Sequence, residues 1–330
     1  MLPRLVLMAN LLERSPQWQR VLSIRFGNRT DELGFVPVGR HTPVAYVPKS
    51  FAVASDGSVW VLDAVKHRLA HFTGDGRFLG EIGGIPFDPH HPSPRDIAMF
   101  GETPVLLQTH LVEHWGYVLA PGESGSATSM RVHDALGPLY VSYLIQTVDR
   151  SSHAVLGDIE GRAFHVPQLP TRSPQGVADL GLTSGGNVHM LPGVPLGDGG
   201  FAAMRFVDST DVETTFVSAS GQSSVLPIRV RLKAGNHTIS AVAGGEFQTA
   251  LQHGVACLIR IAPNSPKEAQ RYGGGRWFLE LDDDGSPVVW ERLPDVSVQD
   301  EDVVRHLAVG PDGSVYLMQV NRQGVSIYKR

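Results

Sequence analysis

Short apolar runs alternate with turn-forming residues between positions 48 and 84. The apolar runs are residues 51–54, 59–62, 68–72 and 77–82. Segments that contain Asp-Gly pairs separate the first run from the second and the third from the fourth. Runs of this length, rich in Val, Leu, Phe and Trp and bounded by such turns, are typical of antiparallel strands. The stretch therefore predicts a meander of four strands.

A single four-stranded meander leaves an apolar face uncovered, so it needs neighbours of the same kind. Residues 305–317 repeat the first half of the unit, and residues 94–98 and 174–178 carry weaker versions of its opening. A propeller blade usually contains about 40–50 residues, so a chain of 330 residues accommodates six. We therefore predict an all-β protein, a six-bladed β-propeller, with seven blades as the alternative.

The two ends of the chain carry complementary parts of one unit. Residues 324–329 read as a third strand, and residues 19–27 read as the last strand of a repeat. We expect the N-terminal strand to complete the last blade, because closing the ring removes exposed strand edges. Residues 1–19 would then form an N-terminal arm, helical or extended, and residues 20–330 a single propeller domain.

The same stretch resembles the NHL repeat family of β-propellers. The matching residues are Pro48, Asp56, Gly57, Asp63, His67, Arg68, Asp75, Gly76 and Gly83. The resemblance implies the propeller fold. It also implies that the His67-Arg68 element packs and hydrogen-bonds between loops, which is a structural role. Some NHL proteins bind RNA through a basic face.

Composition narrows the set of partners. The net charge is −5 and the longest run of like charges is the triplet at 282–284, so we do not expect a nucleic-acid partner. The single cysteine, Cys257, cannot form an internal disulfide or a cysteine-based zinc site, and its apolar surroundings predict a core position.

No apolar run approaches the ~20 residues of a membrane span, so we expect no membrane association. The apolar run at 5–12 lacks a signal-peptide cleavage pattern. We therefore expect a cytoplasmic protein. We also expect a monomer.

Candidate binding residues follow from the propeller geometry, in which the first strand of each blade lines the central channel. The residues just before these strands lie at one mouth of the channel, and they are Lys49 and Ser50, Arg95 and Asp96, Gln175 and Gly176, His237 and Thr238, and Arg305 and His306. Converging cations would favour a small anionic ligand, which Arg95 and Arg305 could hold in bidentate fashion. In the alternative interpretation, each cation pairs with an acid such as Asp96 or Asp302 and holds blades together.

Histidines at the same mouth suggest a divalent metal as a second hypothesis. Metal-dependent lyases with the propeller fold use histidines there, and His237 and His306 occupy the corresponding positions. Neutral imidazoles that converge on one point bind Zn²⁺ or a similar ion. Further histidines stand at positions 90, 91, 110, 114 and 189, but none of these spacings is diagnostic.

Two functions therefore remain open. The first is a non-catalytic propeller that binds a small molecule or a protein at the channel mouth and one face, including the loops at 183–200 and 263–275. The second is a metal-assisted lyase or hydrolase at the same mouth. No residue pattern identifies a catalytic group, so we favour the binding protein and leave the enzyme as the alternative.

Overall fold

The computed structural model describes residues 5–10, 18–40, 45–85, 93–110, 115–121, 127–131, 141–145, 154–158, 163–166, 178–179, 194–196, 200–208, 210–218, 220–294 and 303–330. This part of the chain is mostly β-strand and contains one short helix, α1 (Pro266–Tyr272), inside the predicted loop at 263–275. None of its helices is long and apolar enough to cross a membrane. The protein is all-β.

The described strands form six sheets, numbered here in chain order. The first two strands, β1 (Leu5–Asn10) and β2 (Gln19–Arg25), join sheets formed by later parts of the chain. Sheet 1 consists of β3 (Ser50–Val53), β4 (Val59–Asp63), β5 (Arg68–Phe72) and β6 (Phe78–Ile82). Sheet 2 consists of β7 (Ser93–Phe100), β8 (Thr103–His110), β9 (Trp115–Pro121) and β10 (Ala127–Arg131).

The other four-stranded and larger sheets follow the same meander pattern. Sheet 3 consists of β11 (Val141–Ile145), β12 (Ala154–Asp158), β13 (Ala163–Val166) and β14 (Ala178–Asp179). Sheet 4 consists of β1, β15 (Val194–Pro195), β16 (Phe201–Phe206), β17 (Asp211–Val217), β18 (Ser223–Ala234) and β19 (His237–Ile239). Sheet 5 consists of β20 (Ala241–Ala250), β21 (Val255–Pro263), β22 (Gly275–Leu281) and β23 (Pro287–Arg292). Sheet 6 consists of β2, β24 (Leu307–Val309), β25 (Val315–Asn321) and β26 (Gly324–Lys329).

Neighbouring sheets contact each other mainly through their first strands. In sheet 4 both β15 and β16 contact β20, and β20 in turn contacts β24. The series continues from β24 to β3, from β3 to β7 and from β7 to β11. Sheets that pack in chain order through their first strands surround a common centre, so the fold is of the β-propeller type.

The Asp-Gly pairs form the hairpin turns that the sequence predicts. In the first hairpin Gly57 has a φ of 79°, and the carboxylate of Asp56 accepts a hydrogen bond of 2.9 Å from the Ser58 amide. Gly76 has a φ of 97°, and a Cβ atom there would lie 2.8 Å from Leu22 of strand β2. Glycine therefore serves twice at position 76, for the left-handed backbone and for contact with the neighbouring sheet.

Strand β2 and the C-terminal strand β26 meet in sheet 6. Strand β2 pairs antiparallel with β26, with Ser23 opposite Ser326 and Ile24 opposite Val325. Strand β25 is buried on both faces, and adjacent residues of it enter different hydrophobic clusters. Leu317 packs in the cluster shared with sheets 4 and 5, whereas Met318 packs in the cluster shared with sheet 1.

Two predicted boundaries are wrong. The predicted opening of a fourth blade at residues 174–178 ends in sheet 3 instead, because Ala178–Asp179 pairs with β13 as the fourth strand of that sheet; residues 174–177 are outside the described part of the chain. The first strand of sheet 4 is instead Val194–Pro195. Residues His237–Ile239 do not open the fifth unit either, since they pair with the end of β18 in sheet 4 and sheet 5 begins at β20.

The described part of the N-terminal arm, residues 5–10, is extended. Strand β1 pairs in parallel with β18 at the outer edge of sheet 4, which buries Leu7 and Ala9. The Trp290 indole of sheet 5 donates a hydrogen bond of 2.9 Å to the Met8 carbonyl. Further along the arm, Trp18 packs edge-on against Phe278 at 5.3 Å. The arm thus joins the outer parts of sheets 4 and 5 before it enters sheet 6.

If the arm stabilises the ring, a charge on its buried face will be costly. We expect Leu7→Asp to lower the free energy of unfolding by about 2–4 kcal/mol, because a carboxylate would replace an apolar side chain in a buried position. Val6→Asp is the matched control, since Val6 on the same strand is 44% exposed and its replacement should cost less than about 0.5 kcal/mol. Chemical denaturation measures both. Equal losses would show that burial of Leu7 does not stabilise the fold.

Candidate functional site

A buried ion pair connects sheets 6 and 2. The Arg305 guanidinium donates to both carboxylate oxygens of Asp96, with Nε 2.9 Å from Oδ1 and Nη2 2.6 Å from Oδ2. The two side chains are 1% and 0% exposed. Because the residues are separated by 209 positions, the pair joins distant parts of the chain. A bidentate pair of this kind has a defined geometry as well as a favourable charge interaction.

A β-bulge orients the acid of this pair. The register of β7 against β8 shifts between Pro94 and Asp96, so Arg95 is the extra residue. The Asp96 carboxylate also accepts hydrogen bonds from the Ile97 amide at 2.8 Å and from the Ser50 hydroxyl at 2.5 Å. The carboxylate therefore has partners from its own strand, from sheet 1 and from sheet 6.

Sheet 1 lies between the two partners and contributes its backbone. The Lys49 carbonyl accepts from the Val304 amide at 2.6 Å and from the Arg305 amide at 3.2 Å. On the other side, the His306 carbonyl accepts from the Met318 amide at 2.8 Å. These bonds fix the starts of the first strands of three consecutive sheets around one ion pair. We call this group of residues, Lys49, Ser50, Arg95, Asp96, Arg305 and His306, the mouth cluster.

Five of the predicted site residues are in the mouth cluster: Lys49, Arg95, Asp96, Arg305 and His306. Arg305 has a role different from the predicted one. Arg305 is neutralised by Asp96, as the alternative interpretation expected, and so it is not available to clamp a ligand. Lys49 and Arg95 are half-buried beside the pair. They are the other two cations of the mouth cluster.

The other predicted residues are described only in part. Gln175 and Asp302 lie outside the described residues, as do the histidines at positions 90, 91, 114 and 189. His237 is exposed on the β18–β19 hairpin, whereas His306 is 5% exposed within the mouth cluster. Across the described residues there is no group of three or more His, Cys, Asp or Glu side chains that could hold a metal ion.

Cys257 occupies the core position that its apolar surroundings predict. It is fully buried in sheet 5, and burial raises the pKa of its thiol far above the usual value. The thiolate form needed for nucleophilic or metal chemistry is therefore strongly disfavoured.

A second buried ion pair holds the connection between β2 and β3. Asp63 accepts hydrogen bonds from the Arg68 Nε at 3.1 Å and from the Gly34 amide at 3.1 Å, and both side chains of the pair are nearly inaccessible. Burial raises the pKa of Asp63, and the neighbouring Arg68 opposes that shift. Arg68 also donates to the Thr30 and Glu32 carbonyls at 2.8 and 2.5 Å. Arg68 therefore hydrogen-bonds to the loop between β2 and β3.

A cleft that the sequence does not predict lies at the outer perimeter between sheets 6 and 1. Its volume is about 540 Å³. Its walls are residues of β2, of the following connection and of the start of β6: Ser23, Ile24, Arg25, Arg29, Asp31, Glu32, Gly76, Arg77 and Phe78. We call it the rim cleft. The expected ring closure places β2 next to sheet 1. The arginines at positions 25 and 77 would then lie near each other, and this is the sequence signal that could have located the rim cleft.

One protein-family model matches part of the chain. Residues 16–86 match a domain of unknown function, DUF7485, and no NHL repeat was identified. The matched segment contains β2, the connection held by Asp63 and Arg68, and all of sheet 1, including every residue of the rim cleft. No curated protein matches the chain.

Solved structures with low sequence identity resemble the chain over most of its length. A member of the DUF4221 family from Bacteroides vulgatus has a TM-score of 0.55 at 9% identity, covering 95% of this chain and 97% of that one. A protein from Lactobacillus plantarum has a TM-score of 0.47 at 14% identity, with 86% and 81% covered. Virginiamycin B lyase from Staphylococcus aureus has a TM-score of 0.45 at 10% identity, with 86% and 94% covered. The first similarity concerns the fold alone, and the other two carry no inference about function.

The buried ion pair gives a direct test of the mouth cluster. We expect Arg305→Gln to lower the free energy of unfolding by about 3–5 kcal/mol, because it leaves the Asp96 carboxylate buried without its cation. The double variant Asp96→Leu with Arg305→Met should be more stable than Arg305→Gln, since it leaves no buried charge. Denaturant titration measures both.

The exposed pair of Arg29 and Asp31 provides the control. Their side chains are 75% and 45% exposed, so Arg29→Gln should cost less than about 1 kcal/mol. If Arg305→Gln costs no more than Arg29→Gln, the buried pair does not hold the sheets together.

Proposed function

We propose that the protein is a non-catalytic binding protein built on a six-bladed β-propeller. In this proposal each of the six sheets is one blade, and pairing of β2 with β26 closes the ring. Sheet 1 is the blade with NHL-like character, supported by the contacts of Asp63 and Arg68. The antiparallel pairing of the two chain ends within one sheet supports closure.

The proposed ligand is a small anionic molecule at the mouth cluster. The observation that carries this proposal is the convergence of three first strands on the ion pair of Arg305 and Asp96. The charges of Arg305 and Asp96 cancel, and their hydrogen bonds hold them in place. The pair therefore gives rigid support to the neighbouring residues Lys49 and Arg95. Lys49 and Arg95 then supply positive charge in a partly buried setting, where fields are less screened than on an open surface.

The partner is a small molecule in this proposal rather than a nucleic acid, because the chain carries a net charge of −5. A protein that docks on the same face is the alternative partner. We propose that the protein acts as a monomer in the cytoplasm.

A metal-assisted lyase or hydrolase remains the second candidate function. His306 lies in the mouth cluster, but the described residues offer no set of three metal-binding side chains around it. Elemental analysis of the purified protein, before and after chelation, separates the two functions. About one equivalent of bound metal that is lost in His306→Ala would favour the enzyme.

Binding at the mouth cluster is tested with a panel of small anions and calorimetry. We expect an anion that binds the native protein to bind Lys49→Ala/Arg95→Ala at least about tenfold more weakly, because each charged hydrogen bond contributes about 1.5–3 kcal/mol. The matched control is Arg231→Ala/Lys233→Ala on strand β18, which removes the same two residue types away from the mouth cluster and from the loop at 263–275. Equal weakening in both variants would contradict a site at the mouth.

A further inference from the structure

We propose that the rim cleft is a second binding site, for a small molecule that carries a phosphate or carboxylate group. The cleft is lined by β2 and β6, which are the outermost strands of sheets 6 and 1. The mouth cluster is formed at the first, innermost strands of sheets 6, 1 and 2. The two sites are therefore separate, and each can bind its ligand without the other.

The cleft has three arginines against Asp31 and Glu32, a formal charge of +1, and two of the arginine side chains have no hydrogen-bonded partner among the described residues. Arg29 forms a bidentate pair with Asp31, at 3.0 and 3.2 Å. The Glu32 carboxylate accepts from the Arg29 amide at 3.0 Å. By contrast, the exposed side chains of Arg25 and Arg77 form no hydrogen bond or ion pair with any described residue.

One acid close to Arg77 has its own partner. Asp75 lies on the same turn, and its pKa is lowered chiefly by a hydrogen bond from the Thr73 hydroxyl, with Arg77 a minor influence. The Asp75 carboxylate is thus hydrogen-bonded within its own turn. Arg77 retains the donors of its guanidinium for a ligand, and so does Arg25.

The walls of the cleft are fixed in position. The Lys66 ammonium donates to the Arg29 carbonyl at 2.6 Å and to the Glu32 carbonyl at 2.7 Å. The turn that precedes Arg77 packs through Gly76 against Leu22 of β2. The backbone of a site held in this way loses little conformational freedom when a ligand binds, which favours affinity.

Size and side-chain chemistry indicate the ligand class. A volume of about 540 Å³ lies within the range of small-molecule sites. Guanidinium groups match the geometry of phosphate and carboxylate oxygens, and the half-buried Phe78 ring provides an apolar wall beside them. An anionic group attached to a small apolar body fits this combination.

Titration calorimetry with inorganic phosphate and, separately, with citrate tests the site at constant ionic strength. We expect at least one probe to bind the native protein, and the phosphate and citrate arms to distinguish the two kinds of anionic group. Arg25→Gln/Arg77→Gln should weaken that binding at least about tenfold, through loss of charged hydrogen bonds. The control Arg20→Gln/Arg322→Gln removes two exposed arginines outside the cleft and should leave the affinity unchanged.

The Lys49→Ala/Arg95→Ala variant separates this site from the mouth cluster. Binding that survives in that variant and is lost in Arg25→Gln/Arg77→Gln supports the rim cleft, whatever the outcome at the mouth. The proposal is overturned if neither probe binds the native protein, or if the Arg20→Gln/Arg322→Gln control weakens binding equally. It is also overturned if only the mouth variant loses binding. Thermal unfolding of each variant verifies that the fold is intact.

Discussion

The structure depends on one interaction more than on any other, the buried ion pair between Arg305 and Asp96. Two charges that are almost completely inaccessible are tolerable only when each is paired and hydrogen-bonded, and the bidentate contact together with the Ser50 and Ile97 bonds meets that requirement. Removal of either partner would strand the other charge. The pair therefore requires sheets 6, 1 and 2 to adopt one mutual arrangement, which hydrophobic contact alone would specify less strictly.

A second constraint comes from the path of the N-terminus. Strand β1 lies on the outer edge of sheet 4, its Met8 carbonyl accepts a hydrogen bond from Trp290 of sheet 5, and β2 lies in sheet 6. An unpaired outer edge invites association with other chains, and β1 covers that of sheet 4. The arm and the ion pair act at opposite ends of the sheets, one on outer strands and the other on first strands. The arm connects sheets 4 and 5 with sheet 6, and the ion pair connects sheets 1 and 2 with sheet 6.

The parts of the fold that were predictable from sequence are those set by local chemistry. Asp-Gly pairs locate the hairpin turns of sheet 1, because a left-handed glycine beside a capping aspartate specifies a turn without help from the rest of the chain. The boundary between sheets 3 and 4 was missed, since β14 and β15 have two residues each and carry no such turn. The mouth residues were found by position, but the partner of Arg305 lies 209 residues away and is selected by tertiary structure. The β-bulge at Arg95 that aims Asp96 has no local signature either.

The distribution of paired and unpaired arginines bears on where a ligand can be held. A cation whose charge is matched internally, as in Arg305 with Asp96 or Arg68 with Asp63, contributes to the fold and would have to break that bond to meet an anion. A cation without such a bond, such as Arg25 or Arg77, exchanges only water for a ligand oxygen. The desolvation cost is lower in the second case, because an exposed guanidinium keeps part of its hydration after binding. Among the described residues, the buried Arg305 and Arg68 therefore belong to the architecture, and the binding chemistry proposed at the rim cleft uses exposed cations.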